Sequence, residues 1–441
     1  MGRRRSPHLH PQIHASEQGA GMARRRSPRL HPQIHASIRR RRGKSPAEPA
    51  SLPDGDDILW EILLRLPPLP SSLRRASAVC KRWRGLVTDP RFLRQLYAHH
   101  RKPPLLGVFS RRKHRGNDFQ FNPILDPPDR IRPRRFNLGR CSGTFGYNFL
   151  DCHHGLVLAE IRLQKGVVVW DPITSEQRRL AIPPEFETRS FNGAVICAAG
   201  EQGHVHGGCH SSPFKVVLMS AYKPYSQPFV CVYSSETGIW GNLIVTEASC
   251  ENRIKRPVLV GNSLYWVCNR DSIFEFDLGE HSLTVIAGPP VADDIFFQDY
   301  QVIQGQHGAL GYAILSYPHF ELWQRKANGH GGATWVLETH TILELPHAEG
   351  AMVVLLAYDC DSDVILLSVS RNTYMVQLKS MRSRKLYETM DITCNIPFKS
   401  FYTPVFSNNM NLPIAPLLDR PTYSGTAIAG GLNGAEMLQI G

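Results

Sequence analysis

The sequence contains no run approaching the roughly 18–20 apolar residues that a helix needs to cross a bilayer. Its best stretch, Ala351 to Ala357, has only the length of a strand, so no membrane partner is expected. The N-terminus is rich in Arg, His and Pro and has no apolar core segment, which argues against a secretory signal. Its prolines and its want of apolar periodicity argue against an organelle transit peptide. Ten cysteines are present, yet none forms a Cys-x-x-Cys pair, and no Asn-x-Ser/Thr acceptor occurs. Several cysteines lie in apolar runs, as in Val230-Cys231-Val232 and Val267-Cys268-Asn269. They read as reduced, buried thiols in a reducing compartment, the nucleus or cytoplasm. A Gly-rich phosphate loop and a Gly-x-Ser-x-Gly elbow are also missing, which removes the commonest nucleotide and hydrolase signatures.

What is present is uneven. Residues 1–50 hold 12 Lys/Arg against Glu17 and Glu48, and residues 51–150 hold 19 basic against 8 acidic residues. The whole chain of 441 residues carries +13, so the remainder is net acidic at −8. A basic front on a mildly acidic body is not a uniformly basic nucleic-acid binder. Residues 3–16 recur as 24–37 with one change, His8 becoming Arg29, and Met1 and Met22 each precede a copy. Residues 1–50 bury too little apolar surface to offset chain entropy and are expected to be disordered, as is part of 411–441. The blocks Arg24–Arg26 and Arg39–Lys44, with Arg111–Arg115, leave a nucleic-acid-associated protein as the alternative function. The absence of aromatic residues from the first 50 counts against it.

Residues 51–100 carry helical signals. Asp54, Asp56 and Asp57 suit a helix start, and Pro67-Pro68 a stop. Between them Ile58, Leu59, Ile62, Leu63 and Leu66 share one broad apolar face. A second helix is expected from Ser71 or Ser72 to Gly85, with Leu73, Ala76, Cys80 and Trp83 at helical spacing. A third opens at Asp89-Pro90, with Phe92, Leu93, Leu96 and Tyr97 on its apolar side. A unit of about 45–50 residues without metal or disulfide spacing rarely sustains a core alone. Each Leu or Ile is worth about 1.5–3 kcal/mol when buried, so a partner or the rest of the chain must cover part of this face.

The ordered blocks Leu52-Pro53, Ile58-Leu59, Ile62-Leu63, Leu66-Pro67, Ala78-Val79-Cys80-Lys81-Arg82-Trp83 and Asp89-Pro90-Arg91-Phe92-Leu93 resemble the F-box. The stretch from His99 to Phe109 is similar to the extension found in a large family of grass F-box proteins. The resemblance implies that Leu52, Pro53, Ile58, Leu59, Ile62, Leu63, Leu66 and Pro67, with Val79, Cys80, Arg82 and Trp83, meet a Skp-type adaptor. Through that adaptor the chain would join a cullin-based ubiquitin ligase as a non-catalytic subunit that receives a target protein.

From residue 105 to 410 the signal is strand-like. Paired apolar runs include Val167–Trp170, Phe214–Met219 with Phe229–Tyr233, Val258–Val260 with Ser263–Val267 and Ile273–Phe276, Gly311–Leu315 with Phe320–Trp323, and Val353–Ala357 with Val364–Val369 and Tyr374–Leu378. The landmarks Tyr233, Phe276, Trp323 and Val376 lie 43, 47 and 53 residues apart. That interval suits propeller blades, each a four-stranded meander. The order Asp151 to Leu158 before Val169-Trp170-Asp171-Pro172 also resembles the propeller-like body of the grass family. The fold class is thus α+β multidomain, a small three-helix unit followed by an all-β propeller-like domain, with a β-sandwich as the alternative.

No catalytic residue, metal or cofactor is assigned. His204-Val205-His206-Gly207-Gly208-Cys209-His210 holds metal-type ligands but shows no second pair at zinc spacing, so a loop is expected. Cys152-His153-His154 resembles a nucleophile–base pair, but neighbours along a strand point to opposite faces. Asp359, Asp361 and Asp363 mimic a calcium loop without its Gly and closing Glu, and a turn between strands is expected.

Overall fold

Asp56 and Asp57 open α1 (Asp56–Leu64), where carboxylates complement the positive helix end. In α4 (Pro90–His100), Asp89 caps as expected, its Oδ1 accepting from the Arg91 amide at 2.7 Å with Pro90 in the first turn. The middle of the unit differs from expectation: two helices, α2 (Ser72–Ser77) and α3 (Lys81–Thr88), stand where one was read. The break has a local cause. Ser77 Oγ donates to the Arg74 carbonyl at 2.7 Å, and Cys80 is fully extended (φ −160°, ψ 172°), a conformation that cannot continue a helix. Gly85 does not end the helix but lies inside α3. The computed structural model describes residues 56–112, 119–139, 146–161, 164–200, 204–210, 212–221, 227–248, 255–269, 271–290, 299–329, 332–388 and 392–402. The expectations for residues 1–50 and 411–441, and for Leu52 and Pro53, lie outside them.

The helices pack on Leu59, Leu63, Leu64, Leu73, Ala76, Val87, Phe92 and Leu96. Trp60 meets Phe92 edge-on at 5.2 Å and donates its indole N–H to Gln95, joining α1 to α4. No helix among the described residues is long and apolar enough to cross a membrane.

The rest is a ring of six antiparallel sheets, so the sandwich alternative does not apply. β1 (Leu105–Arg112) and β2 (Phe119–Pro123) begin blade 1. Blade 2 holds β3 (Tyr147–His153), β4 (Leu156–Ile161), β5 (Gly166–Trp170) and β6 (Gln177–Ala181). Blade 3 holds β7 (Asn192–Cys197), β8 (Phe214–Ser220), β9 (Phe229–Ser234), β10 (Ile239–Trp240) and β11 (Ile244–Val245). Blade 4 holds β12 (Val258–Val260), β13 (Ser263–Asn269), β14 (Ser272–Asp277) and β15 (Ser282–Ala287). Blade 5 holds β16 (Asp299–Gln304), β17 (Leu310–Ser316), β18 (His319–Ala327) and β19 (Ala333–Ile342). Blade 6 holds β20 (Val353–Asp359), β21 (Val364–Val369), β22 (Asn372–Gln377) and β23 (Arg382–Glu388). β24 (Ile392–Lys399) then returns to pair with β1, Val108 opposite Pro397 and Phe109 opposite Ile396, and closes the ring.

Alternation along the strands explains the continuous apolar runs. In β8, Val216 and Leu218 pack toward blade 2, and Val217 and Met219 toward blade 4. Every strand buried on both faces must be apolar on both. Separate apolar clusters fill all six junctions between neighbouring blades. At the closure, Phe109 and Phe398 lie 5.2 Å apart and Phe136 and Phe398 5.3 Å apart. One thiol departs from the sequence reading: Cys268 is disulfide-bonded, while Cys80, Cys152, Cys197, Cys209, Cys231 and Cys360 are free.

Candidate functional site

The apolar face read from residues 58–66 divides in two. Leu59 and Leu63 point into the core of the helical unit and are buried, with Leu66 and Trp83 packed against that core. Ile58 and Ile62, one turn apart on α1, stay 56% and 45% exposed, and Val79 before α3 is 55% exposed. Cys80, Arg82 and Pro67 are also on the surface. Arg82 pairs with Asp56 at 2.8 Å, which brings the start of α3 to the start of α1 and places residues 79–82 beside the helix that carries the two isoleucines. Helical spacing marks both residue sets as apolar. Only the packing of one side of α1 into the core it shares with α2, α3 and α4 tells them apart.

The helical unit is seated on the ring. Tyr97 of α4 stacks on Phe401 at 4.5 Å. Ser71 donates its amide to Asp129 at 2.8 Å, and Lys102 pairs with Asp361 at 2.8 Å. Gly207, at φ +103°, accepts at its carbonyl from the Phe401 amide (2.9 Å) and Ser400 Oγ (2.9 Å). A side chain on Gly208 would run into the Tyr97 ring at 2.5 Å, so only glycine permits this approach.

Below this joint a cavity of about 820 Å³ opens among the inner strands. Asp151, His153, Arg256, Asp359 and Lys399 line it, and Arg101 to Pro103 form part of its wall. Asp151 is buried and hydrogen-bonds His153 Nδ1. Lys399 reaches Asp359 at 2.7 Å and also pairs with Asp361. Burial pushes the Asp361 carboxyl up, but hydrogen bonds and charge from Lys102 and Lys399 outweigh it and hold the group below its usual range. Of the acids that mimic a calcium loop, Asp359 and Asp361 are engaged by lysines, and Asp363 Oδ1 accepts from the Tyr358 hydroxyl at 3.5 Å.

Cys152, His153 and His154 do not assemble a nucleophile and base. Burial drives the Cys152 thiol far up, His153 faces Asp151, and His154 occupies a left-handed turn with Gly155 between β3 and β4. The loop with His204, His206 and Cys209 gains a ligand that sequence spacing concealed. Cys197, at the end of β7, lies with them so that all four ligand atoms are within 4.8 Å of one another. A hydrogen bond from Cys209 pulls the Cys197 thiol down, against the opposing effect of burial. Of the basic segments, Arg24–Lys44 and residues 113–115 lie outside the described residues; Arg111 and Arg112 belong to β1.

Comparison with known proteins bears on both halves. Residues 50–99 match the family model "F-box-like", and residues 137–293 match "F-box protein At3g26010-like, beta-propeller". The chain therefore carries an F-box-like module, and its body contains a stretch that matches the β-propeller of an F-box protein. The F-box/kelch-repeat protein At3g17530 of Arabidopsis thaliana is 26% identical over 168 residues, 38% of this chain and 40% of that protein. The chain thus aligns with less than half the length of that relative. Among solved structures, the β-propeller domain of Cps50 (Swd1) from Myceliophteria thermophila is 9% identical over 65% of this chain and 88% of that one, with a TM-score of 0.38. An oligogalacturonate lyase in complex with manganese is 9% identical over 53% and 62%, with a TM-score of 0.32.

Proposed function

We propose that this F-box protein is the substrate-recognition subunit of a Skp–cullin–F-box ubiquitin ligase. The F-box binds the Skp-type adaptor, the adaptor connects to the cullin, and the propeller receives a target protein. The observation that carries this reading is the pair Ile58 and Ile62 left in water, with Val79, on a unit whose other apolar residues are already packed. A closed core that still presents branched aliphatic side chains on one helix face is a surface prepared for another protein.

The adaptor contact on this reading is made by Leu52, Pro53, Ile58, Ile62, Pro67, Val79, Cys80 and Arg82. Leu59, Leu63, Leu66 and Trp83 serve it indirectly, by holding α1 and α3 in place. The ligase's other subunits supply the chemistry, so the chain's own contribution is proximity and it needs no catalytic residue or cofactor. A rigid ring presenting loops suits the grip on a target, and the nucleus or cytoplasm is where such a ligase would act. The test is a pull-down of the full chain with a purified Skp-type adaptor. Capture of the wild type, and its loss in an Ile58→Asp, Ile62→Asp variant that keeps its melting temperature, supports the assignment. Equal capture of both would sink the contact face.

A further inference from the structure

Four side chains that the proposed ligase role does not use converge beside the joint between F-box and propeller. Cys197 ends β7, an inner strand of blade 3, and His204, His206 and Cys209 come from the loop before β8. His204 Nε2 sits 3.3 Å from Cys197 Sγ and 3.3 Å from Cys209 Sγ, and His206 Nδ1 sits 3.5 Å from Cys209 Sγ. With Zn–S bonds of about 2.3 Å and Zn–N bonds of about 2.0–2.1 Å, a tetrahedral ion separates its ligand atoms by about 3.3–3.8 Å. The observed spacing therefore requires little rearrangement around a central ion. We propose that Cys197, His204, His206 and Cys209 form a structural zinc site.

The surroundings resemble a prepared metal site more than a chance cluster. The Ala199 amide donates to Cys197 Sγ at 3.4 Å, the kind of backbone bond that supports a ligating sulfur. The His206 ring stacks on His154 at 3.6 Å, and His154 Nδ1 accepts from the Cys197 amide at 3.1 Å, so one outer residue braces two of the ligands. Two sulfurs and two imidazoles favour zinc over the hard cations, which prefer oxygen donors. Four protein ligands complete a tetrahedron and leave no open position for substrate, which makes the site structural.

The position gives the ion a task. Gly207 and Gly208 lie between ligands His206 and Cys209, and they receive Ser400, Phe401, Pro103 and the Tyr97 ring. An ion holding both ends of this short span would set how the F-box sits on the ring.

The full chain, purified without added chelator, should carry close to one equivalent of zinc by elemental analysis. Cys197→Ser with Cys209→Ser should remove most of it, and Cys231→Ser should not. The basic tail contains several histidines, so zinc kept in full by the double variant would place it there and overturn the proposal. Should the double variant fail to fold, cobalt exchanged into the wild-type chain decides. Intense visible bands of tetrahedral, thiolate-ligated cobalt support the site, and a weak octahedral spectrum overturns it. Chelation should also speed amide exchange at Gly207 and Gly208, and unchanged exchange would remove the ion's proposed role at the joint.

Discussion

At the scale of single residues, α1 separates two tasks that look alike in composition. Leu63 is fully buried among Leu59, Val87, Phe92 and Leu96, whereas Ile62 beside it is 45% exposed. Leu63→Ala should cost about 2–5 kcal/mol through lost burial and a cavity that only partly collapses, seen as a lower denaturation midpoint of the full chain. Ile62→Asp should leave that midpoint almost unchanged and weaken adaptor binding about tenfold or more, since its remaining apolar surface is worth at least about 1.4 kcal/mol on burial. Titration calorimetry against the adaptor, run beside a denaturation curve for each variant, separates the two outcomes. Asp361 offers a pH-dependent test. Its carboxyl titrates below the usual range in the folded protein. Its contribution is therefore present above the unfolded carboxylate pKa near 3.9 and is lost as pH falls through the lower folded value. Asp361→Asn should flatten the acid side of the stability profile, measured by urea denaturation from about pH 5 downward.

At the scale of elements, β24 does the most for its length. It brings Phe398 against Phe109, Phe121 and Phe136 and joins the end of the propeller to its beginning through β1. Phe398→Ala should cost about 3–5 kcal/mol, read as a fall in melting temperature. The strands themselves were legible from alternation and apolar runs. The landmarks Tyr233, Phe276, Trp323 and Val376 occupy the third strand of blades 3, 4, 5 and 6. The split of the second helix was not legible, because the spacing of Leu73, Ala76, Cys80 and Trp83 continues smoothly across the break. A side-chain bond from Ser77 and one extended residue decide it.

At the scale of the whole molecule, the F-box is docked on the propeller by the Tyr97–Phe401 stack, the Ser71 amide bonded to the Asp129 carboxylate and a Lys102–Asp361 pair. Such a seat would hold an adaptor and a target in one relative orientation. Gly208→Val should force the Tyr97 ring off Phe401 and loosen that seat while leaving the proposed adaptor face of α1 intact. The expected result is adaptor affinity within about twofold of wild type, an energy difference under about 0.5 kcal/mol, with faster amide exchange across residues 97–104. A fixed exchange pattern would mean that the glycine is not needed for the contact.

The sequence alone marked residues 51–100 as helical and 105–410 as strand-rich, and its continuous apolar runs marked strands such as β8 that are buried on both faces. Those properties follow from the period of apolar residues along neighbouring stretches of chain. It also carried the ordered blocks by which the F-box resembles its family. Tertiary structure alone decided that Ile58 and Ile62 face water while Leu59 and Leu63 face the core. It closed the six blades through β24 and brought Cys197 to His204, His206 and Cys209. Each of these depends on which surfaces meet once the chain has folded, and the local spacing of residues does not encode that.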